Sequence, residues 1–385
     1  MIPAFNNGFG YAAGRTRRSA HWVRSRAGSG VGAGCARRRA GVDQVAPGYA
    51  QVFAPQSHPN GVSVFRGSRR LAALLIVPAA VLAACSTDAK SSPKSDPASS
   101  TTTTVGVVLS GAFGATPTLT VPTTAAPAKL TQQTISQGTG AAVAKGDTVI
   151  ANYLGQTWAP KSGKANVFDS SFSRGAPAAF VIGKGQVIPG WDKALVGKKL
   201  GSRLLLTVPP ADGYGANGQS SAGITGTDTL VFVVDLVSEY KPNASAPGTV
   251  VSNIPSSGLP KITNVPGKKP TITSTAGVKV PAQPASTLLV TGSGAKIDTA
   301  KTLVLQLVQT DLQTGKNTQA TWGDAPQTVS AQNVLSIADK LSGQNVGSRV
   351  VALLPATPAV PASSTQAAQP ASPPEILIID VVGQF

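Results

Sequence analysis

The sequence predicts an α+β fold, built twice in tandem and made mostly of strands, with one short helix. Three observations predict it. Short runs of β-branched or alternating apolar residues are bounded by glycine and proline, a pattern typical of strands. One segment has the apolar spacing of a short helix. Finally, two regions of the chain resemble each other about 150 residues apart, a period that indicates duplicated domains instead of a solenoid.

The first patterned region, residues 129–240, contains four predicted strands, at 148–153, 179–182, 203–208 and 230–237. The second region, residues 285–385, repeats four of its segments. Residues 134–140 are matched by 288–294, 148–153 by 301–306, 197–203 by 343–349 and 230–237 by 375–382. The repeat therefore predicts a second domain of the same design.

A single helix is predicted at residues 189–196, and a glycine directly follows it. Its apolar face carries Trp191, which we expect to pack against Val181, Leu205 and Phe232. One short helix against an antiparallel sheet is an α+β arrangement, and this packing would enclose a shallow pocket.

The segment 62–84 is predicted to be a lipoprotein signal peptide. Arginines precede an apolar run at 71–84 that ends at Cys85, which is the order of a secretory signal. The end of the run resembles a bacterial lipobox, in which the cysteine is acylated. We therefore predict lipidation of Cys85 and an extracytoplasmic protein, lipid-anchored to the outer face of the cytoplasmic membrane. An ordinary signal cleaved after Ala84 and a buried apolar helix are the alternatives.

Residues 1–61 are interpreted as a non-native extension or a disordered segment, because they lack hydrophobic periodicity. A nucleic-acid-binding arm is the alternative, since arginines cluster there. However, 11 arginines and one acid precede Cys85, so +7 of the formal charge of +17 remains after it. Nucleic acid is therefore excluded as a partner. Residues 85–128 are predicted to be a disordered tether and 241–284 a linker, since both are rich in small residues and proline.

The residue types limit the chemistry. Both histidines, His21 and His58, and one cysteine, Cys35, lie in the first 60 residues, and the rest of the chain has only Cys85. This excludes a histidine-based triad, a His/Cys metal site and an intramolecular disulfide there. We expect no cofactor, so catalysis must come from carboxylates, hydroxyls, backbone donors or the shape of a pocket.

A set of short motifs runs in order through the first region, at 146–149, 153–155, 163–164, 167–171, 180–183, 186–191 and 210–215. Together they resemble an FKBP-type peptidyl-prolyl cis-trans isomerase domain over about 110 residues. The resemblance implies a half-wrapped antiparallel sheet around one short helix and an aromatic pocket that takes a proline ring.

The resemblance also implies which residues form the pocket: Tyr153, Phe168, Asp169, Val187, Ile188, Trp191, Tyr214, Ile224 and Phe232. Trp191 would be its floor and three other rings its walls. The Ile188 N–H and the Tyr214 hydroxyl would hold substrate carbonyls, and Asp169 would orient or polarise the site. Taken singly, Trp191 and Phe232 are also consistent with ordinary core residues.

The function implied is a prolyl isomerase that assists the folding of exported proteins. Its partners would be their proline-containing segments, with a macrolide immunosuppressant as a ligand of the same pocket. A non-catalytic peptide-binding chaperone, or a scaffold lipoprotein using the same groove, is the alternative. Ala178 favours it, since the family usually has an aromatic there.

The second region is predicted to be a degenerate copy, because its pocket residues differ. Tyr153 is matched by Gln306, Phe168 by Trp322, Asp169 by Gly323, Trp191 by Ile337 and Phe232 by Leu377. We interpret this as the fold retained and the site lost. A binding or spacing module and an inert structural domain remain alternatives.

Overall fold

The computed structural model describes residues 102–104, 106–255, 257–359 and 371–385. The predicted extension at 1–61, the signal peptide at 62–84 and Cys85 lie outside these residues. Among the helices in the described ranges, none is long and apolar enough to cross a membrane.

The described chain is rich in strands and has three short α-helices. The strands are β1 (Thr102–Thr104), β2 (Val107–Ser110), β3 (Thr118–Thr120), β4 (Thr131–Ser136), β5 (Thr148–Thr157), β6 (Val167–Ser170), β7 (Ala178–Val181), β8 (Arg203–Val208), β9 (Leu230–Tyr240), β10 (Thr249–Val250), β11 (Lys261–Thr263), β12 (Thr271–Ser274), β13 (Ala285–Thr291), β14 (Thr302–Asp311), β15 (Asn317–Ala320), β16 (Gln327–Ser330), β17 (Arg349–Leu354) and β18 (Glu375–Gln384). The helices are α1 (Ser171–Arg174), α2 (Pro189–Leu195) and α3 (Ala331–Ile337).

The first large sheet packs one face on α2. Its antiparallel strands lie in the order β4-β8-β9-β5-β6, and β7 pairs with β5 beside β6. On α2, Trp191 and Leu195 are fully buried in the core between helix and sheet. This agrees with the expected α+β class and with an antiparallel sheet around one short helix. The bounds of β8 are those predicted, whereas β5 and β9 extend further than expected.

Two of the residues predicted to face Trp191 do not join its cluster. Leu204 and Leu206 belong to the core beside α2, whereas Leu205 lies in a cluster on the other face of the sheet. Successive side chains of a strand point to opposite faces, so the expected packing of Leu205 was wrong by one residue. Val181 is half-buried and is not among the residues of the core beside α2.

The back of the first sheet is covered by a segment that composition predicted to be disordered. Strands β2 and β3 pair as a hairpin. Val107 and Leu109 are buried against Trp158, Val231 and Val233. The prediction of a disordered tether at 85–128 is therefore wrong for residues 106–128. Average composition misled it, because a few well-placed apolar side chains, Val107, Leu109 and Leu119 among them, pack the hairpin on an existing apolar face.

A buried ion pair holds this hairpin to the sheet. Arg203 and Asp235 are at most 1% exposed and are joined by two hydrogen bonds, of 2.6 and 2.7 Å. The same guanidinium donates to the carbonyl oxygens of Gly111, at 2.5 Å, and Ala115, at 2.7 Å. The backbone N–H of Gly114 donates to Asp235 at 2.7 Å. The hairpin loop therefore completes the hydrogen bonding of the buried pair.

The second large sheet repeats the strand order of the first, with one additional strand, β10, at its edge. It runs β10-β13-β17-β18-β14-β15, with β16 on β14. Its back is covered by residues predicted to be a linker, since Ile262 of β11 and Ile272 of β12 pack on the cluster there. Arg349 and Asp380 repeat the buried pair, and Arg349 donates to the Lys268 carbonyl at 2.6 Å. The linker prediction at 241–284 is wrong for these strands.

Strand register corrects the sequence match between the two sheets. Asn152 lies opposite Asp235, whereas Gln306 lies opposite Asp380. Gln306 therefore corresponds to Asn152, and Leu307 corresponds to Tyr153. The match of Tyr153 to Gln306 was wrong by one residue, because sequence similarity alone does not fix register in an apolar strand.

The match around Phe168 and Asp169 was also wrong. Asp169 lies opposite Gly155 in the first sheet, and Gln319 lies opposite Gln309 in the second. Counting from these pairs, Gln319 takes the place of Asp169, and Thr318 takes the place of Phe168. Trp322 and Gly323 lie beyond the end of β15. In the second sheet, Thr318 and Gln319 therefore replace Phe168 and Asp169, and the predicted replacements Trp322 and Gly323 do not.

Candidate functional site

The site begins with a three-residue polar network beside β5. The Tyr153 hydroxyl donates to Asp169 at 2.5 Å, and Arg174 donates to the Tyr153 oxygen at 2.9 Å. Arg174 also forms an ion pair with Asp169. The helix α1 brings Arg174 back to Asp169 within one turn, since Ser170 caps its N-terminus and Gly175 ends it with φ of 70°.

The ionisation of this network is fixed by its surroundings. Burial, followed by the hydrogen bond to Asp169, raises the pKa of the Tyr153 hydroxyl. Burial acts to raise the pKa of Asp169, yet this pKa is lowered. The Tyr153 hydrogen bond and the Arg174 guanidinium are among the interactions that lower it. At neutral pH the network is therefore a neutral phenol, a carboxylate and a guanidinium.

The four rings predicted as floor and walls form one chain of contacts. The centroid of Trp191 lies 5.6 Å from that of Tyr153 and 5.5 Å from that of Phe232. Phe232 lies 5.7 Å from Phe168. All three pairs meet edge to face, a favoured arrangement of aromatic rings. The indole N–H of Trp191 is buried and has no hydrogen-bond acceptor among the described residues.

A glycine in β5 makes room for two of these rings. A Cβ atom on Gly155 would lie 2.7 Å from the Phe232 ring and 2.8 Å from the Phe168 ring. Contacts this short do not occur between real side chains, so a larger residue would displace a ring. The absence of a side chain at Gly155 therefore sets the position of the two rings.

The loop before α2 places Val187 and Ile188 against the aromatic cluster, where both are buried. The carboxylate of Asp192 accepts hydrogen bonds from the backbone N–H groups of Gly183, at 2.6 Å, and Gly185, at 2.7 Å. These bonds tie the loop to the helix, so Val187 and Ile188 are held in place by α2.

The two remaining predicted residues come from the segment after β8. Ile224 is buried in the same cluster, and Tyr214 is half-buried against it. Burial, and then the charge of Asp169, raise the pKa of Tyr214 to about 12, so its hydroxyl keeps its proton at neutral pH. With Val187 and Ile188, Tyr214 lines an open cleft of about 540 Å³, the Tyr214 cleft.

A second open cleft, of about 500 Å³, is lined by Phe168, Asp169 and Thr116, among others. We call it the Phe168 cleft. The structure thus places the nine predicted residues in and against one core cluster. Val187, Ile188 and Tyr214 line one open cleft, and Phe168 and Asp169 line the other. Their roles in catalysis remain predictions.

Sequence reasoning missed two residues of this arrangement. Phe180 lies 4.8 Å from Trp191 and 5.4 Å from Tyr153, and Arg174 completes the polar network. Phe180 shares a face of β7 with Ala178, so strand alternation could have indicated it. Arg174 gave no comparable signal, because its contact depends on the one-turn helix α1. Within the described ranges, no cluster of three or more His, Cys, Asp or Glu side chains could hold a metal ion.

Comparison with known proteins decides the family. Residues 140–237 match the family of FKBP-type peptidyl-prolyl cis-trans isomerases. The chain is 39% identical over 111 residues to an FK506-binding protein of Streptomyces anulatus, a match that covers 29% of this chain and 86% of that protein. The chain belongs to the FKBP family. By family, its matched region is a peptidyl-prolyl cis-trans isomerase.

Other FKBP relatives match the same part of the chain. Peptidyl-prolyl cis-trans isomerase FKBP15-1 of Arabidopsis thaliana is 46% identical over 93 residues, which are 24% of this chain and 57% of that protein. Among solved structures, FkpA from Escherichia coli is 38% identical, with a TM-score of 0.25, and the match covers 29% of this chain and 48% of that one. The match thus spans about half the length of these two relatives.

Proposed function

We propose that the first large sheet and its helix α2 catalyse cis-trans isomerisation of X–Pro bonds, without covalent chemistry, in the space bordered by the aromatic cluster. The observation that carries this proposal is the unbroken chain of ring contacts through Tyr153, Trp191, Phe232 and Phe168 inside the region that matches the isomerase family.

The physical basis is the loss of amide resonance during rotation. Rotation about a peptide bond has a barrier of about 18–20 kcal/mol, because resonance gives the C–N bond partial double-bond character. A prolyl imide turned out of plane has lost that resonance and is less polar than the planar ground state. An apolar aromatic surface therefore favours the twisted form, and only such preferential binding accelerates the reaction. No proton transfer is required.

Polar groups around the rings would hold the peptide while its imide rotates. The Tyr214 hydroxyl is protonated and lies at the cleft beside Ile188, so it can donate to a substrate carbonyl. In the proposal, the backbone N–H of Ile188 is a second donor, fixed by the loop that Asp192 ties to α2. The charge of Asp169, paired with Arg174, polarises the site without accepting a proton.

The proposal is tested with the purified protein in a protease-coupled assay of cis-Ala-Pro isomerisation. We expect catalysis above the spontaneous rate, and we expect Trp191→Ala to lower kcat/KM at least tenfold. Because Trp191 is buried, the variant is also checked by circular dichroism. Tyr214→Phe removes only a half-buried hydroxyl and serves as the milder variant. If the correctly folded wild-type protein leaves the spontaneous isomerisation rate unchanged, the proposed isomerase activity is excluded.

The alternative is a non-catalytic peptide-binding chaperone that uses the same groove, and Ala178 in place of a large side chain favours it. The two functions differ in their response to Tyr214→Phe. An isomerase loses rate, whereas a chaperone keeps suppressing the aggregation of an unfolded client. Both activities are therefore measured on the same preparation.

We further propose that the clients are exported proteins and that Cys85 carries a lipid anchor. The support comes from the sequence alone: a basic, apolar and small-residue order that ends at Cys85. A lipid anchor with two or more chains binds membranes firmly, whereas one chain binds only marginally. Mass spectrometry of the mature N-terminus tests this directly, since an acylated Cys85 as the first residue is the expected result.

The second large sheet is proposed to be a duplicated domain without the isomerase site. The shared strand order and the repeated buried Arg–Asp pair support duplication. Leu307 and Leu377 take the places of Tyr153 and Phe232, so the ring contacts of the first sheet are replaced by aliphatic packing. We expect macrolide binding to quench tryptophan fluorescence only while Trp191 is present.

A further inference from the structure

The segment between β8 and β9 carries Ile224, one of the predicted pocket residues. We call its second half, residues 215–229, the flap. The flap contains two 3-10 turns, Gly215–Asn217 and Ser220–Ala222, and Gln219 pairs with Ile224 through backbone hydrogen bonds of 2.8 and 3.0 Å. Turns of this kind are short and have poorer hydrogen-bond geometry than an α-helix. The position of the flap, and with it that of Ile224, therefore depends on contacts with neighbouring parts of the chain.

One such neighbour is the loop between β5 and β6, residues 158–166. At the start of this loop, the backbone N–H of Trp158 donates to the carbonyl oxygen of Thr229 at 2.8 Å. At its end, Asn166 lies beside Gly223 of the flap, since a Cβ atom on this glycine would be 3.8 Å from the side-chain nitrogen of Asn166. The loop and the flap are therefore in contact at both ends of the loop.

An ion pair joins the loop to the flap as well. The Lys161 ammonium donates to both carboxylate oxygens of Asp228, at 2.9 and 2.8 Å. The side chain of Asp228 is only 8% exposed, and that of Lys161 is 38% exposed. The same carboxylate accepts hydrogen bonds from the N–H and the hydroxyl of Thr225, at 2.7 and 2.8 Å. Because Thr225 directly follows Ile224, one carboxylate links the lysine to the backbone next to a predicted pocket residue.

Both partners of this pair are fixed by their surroundings. The backbones of Lys161 and Lys164 exchange hydrogen bonds of 2.9 and 3.0 Å, and Ser162 between them has a left-handed φ of 52°, so the lysine stands on a tight turn. Burial acts to raise the pKa of Asp228, yet this pKa is lowered, because hydrogen bonds from Lys161 and Thr225 favour the carboxylate. At neutral pH the pair is therefore fully charged.

Ile224 is 3% exposed and packs in the core cluster that contains Trp191. We propose that Lys161 and Asp228 are positioning residues of the isomerase, which hold the flap so that Ile224 borders the proline-binding pocket. The inference rests on the proposed function. Because Ile224 would contact the proline ring in both the planar and the twisted form of the imide, the pair supports binding of both. Loss of the pair should therefore raise KM and leave kcat nearly unchanged.

The test is Lys161→Met in the full chain, which removes the charge and keeps an apolar side chain. The matched control is Lys164→Met, the same change at an exposed lysine of the same turn. We expect KM for a neutral cis-Ala-Pro peptide to rise about threefold in Lys161→Met alone, since a partly exposed ion pair is of modest strength. Lys161→Arg keeps the charge and should keep the wild-type KM. Equal KM in the two methionine variants, or a loss confined to kcat, would overturn the proposal.

A double-mutant cycle shows whether the pair itself is responsible. Asp228→Asn removes the negative charge and keeps an oxygen that can accept from Thr225. We expect Lys161→Met to raise KM no further when Asp228→Asn is already present, because residues in direct contact are not additive. Additive effects would show that the two side chains act separately and would overturn the proposal. Should Asp228→Asn fail to fold, the three lysine variants decide the question. No catalysis by the correctly folded wild type would refute the proposed function, and the role of the pair with it.

Discussion

For the Arg203–Asp235 pair, the loss in the free energy of unfolding that Asp235→Asn would cause can be worked out from the structure. In Asp235→Asn, the size of the side chain is kept, but the negative charge is lost. Arg203 is 1% exposed and would remain as a buried cation without its partner. The Gly114 N–H, which now donates to the carboxylate at 2.7 Å, would meet an amide. Breaking a buried pair by removing one partner costs about 3–5 kcal/mol.

Two carbonyl oxygens, of Gly111 and Ala115, would still accept hydrogen bonds from Arg203. We therefore expect the free energy of unfolding to fall by about 3 kcal/mol, near the lower end of that range. With a urea m-value of about 2 kcal/mol/M, this lowers the unfolding midpoint by about 1.5 M. Trp158 is the reporter, because it packs in the back cluster and its indole N–H donates to the Thr124 carbonyl at 2.8 Å.

The control is Asp212→Asn, which removes a charge of the same sign from a surface pair. Lys193, the partner of Asp212, has a side chain that is 62% exposed, and such pairs contribute at most about 1 kcal/mol. If Asp235→Asn shifts the midpoint no more than Asp212→Asn does, the buried pair does not hold the hairpin. Cleavage of the hairpin by protease should likewise increase only in Asp235→Asn.

Two further predictions concern the site. We expect kcat/KM to be constant from about pH 6 to 9, because the pKa of Asp169 is lowered and that of Tyr214 is raised to about 12; a titration within this range would contradict it. The stability that ionised Asp169 contributes is lost only as the pH falls through its lowered pKa. In Gly155→Ala, the new methyl displaces the Phe168 or Phe232 ring, so kcat/KM should fall at least about tenfold. Unchanged near-UV circular dichroism with unchanged kcat/KM would show that the rings do not shape the site.

The strands and the helix could be predicted where burial imposes one pattern. All six residues of β8 are buried, and the predicted bounds are the observed ones. Placing Leu205 required knowing which face each residue of β8 takes, and an apolar strand buried on both faces does not encode this. The same ambiguity shifted the match of Gln306 by one residue.

The covers on the backs of the sheets could not be predicted from average composition. Residues 106–128 contain few large apolar side chains, yet Val107 and Leu109 are fully buried. The burial of these two side chains depends on residues about 50 to 125 positions away in the sequence, such as Trp158 and Val233. Composition describes only what a segment could bury alone. A segment that completes an existing core needs far less apolar surface of its own.

Part of the candidate site could be predicted from the sequence, and part could not. Its rings were found because they recur in a known order of motifs. The contact of Arg174 with Asp169 was not found, because it depends on one turn of helix. The Phe168 cleft could not be predicted either. Thr116, which lines it, lies in a segment that was predicted to be a disordered tether.

The second sheet shows why side chains alone do not account for the site. In the first sheet, residues 182–188 separate β7 from α2 and carry Val187 and Ile188. In the second, β16 ends at Ser330 and α3 begins at Ala331, so the described chain has no counterpart of this loop. Restoring rings at Leu307 or Leu377 would therefore not rebuild the site, because the backbone that presents the Ile188 N–H is missing. The Arg–Asp pair and its hairpin recur in both sheets, whereas among the described residues the loop before α2 belongs to the first sheet alone. This loop therefore distinguishes the sheet that carries the candidate site from the sheet proposed to lack it.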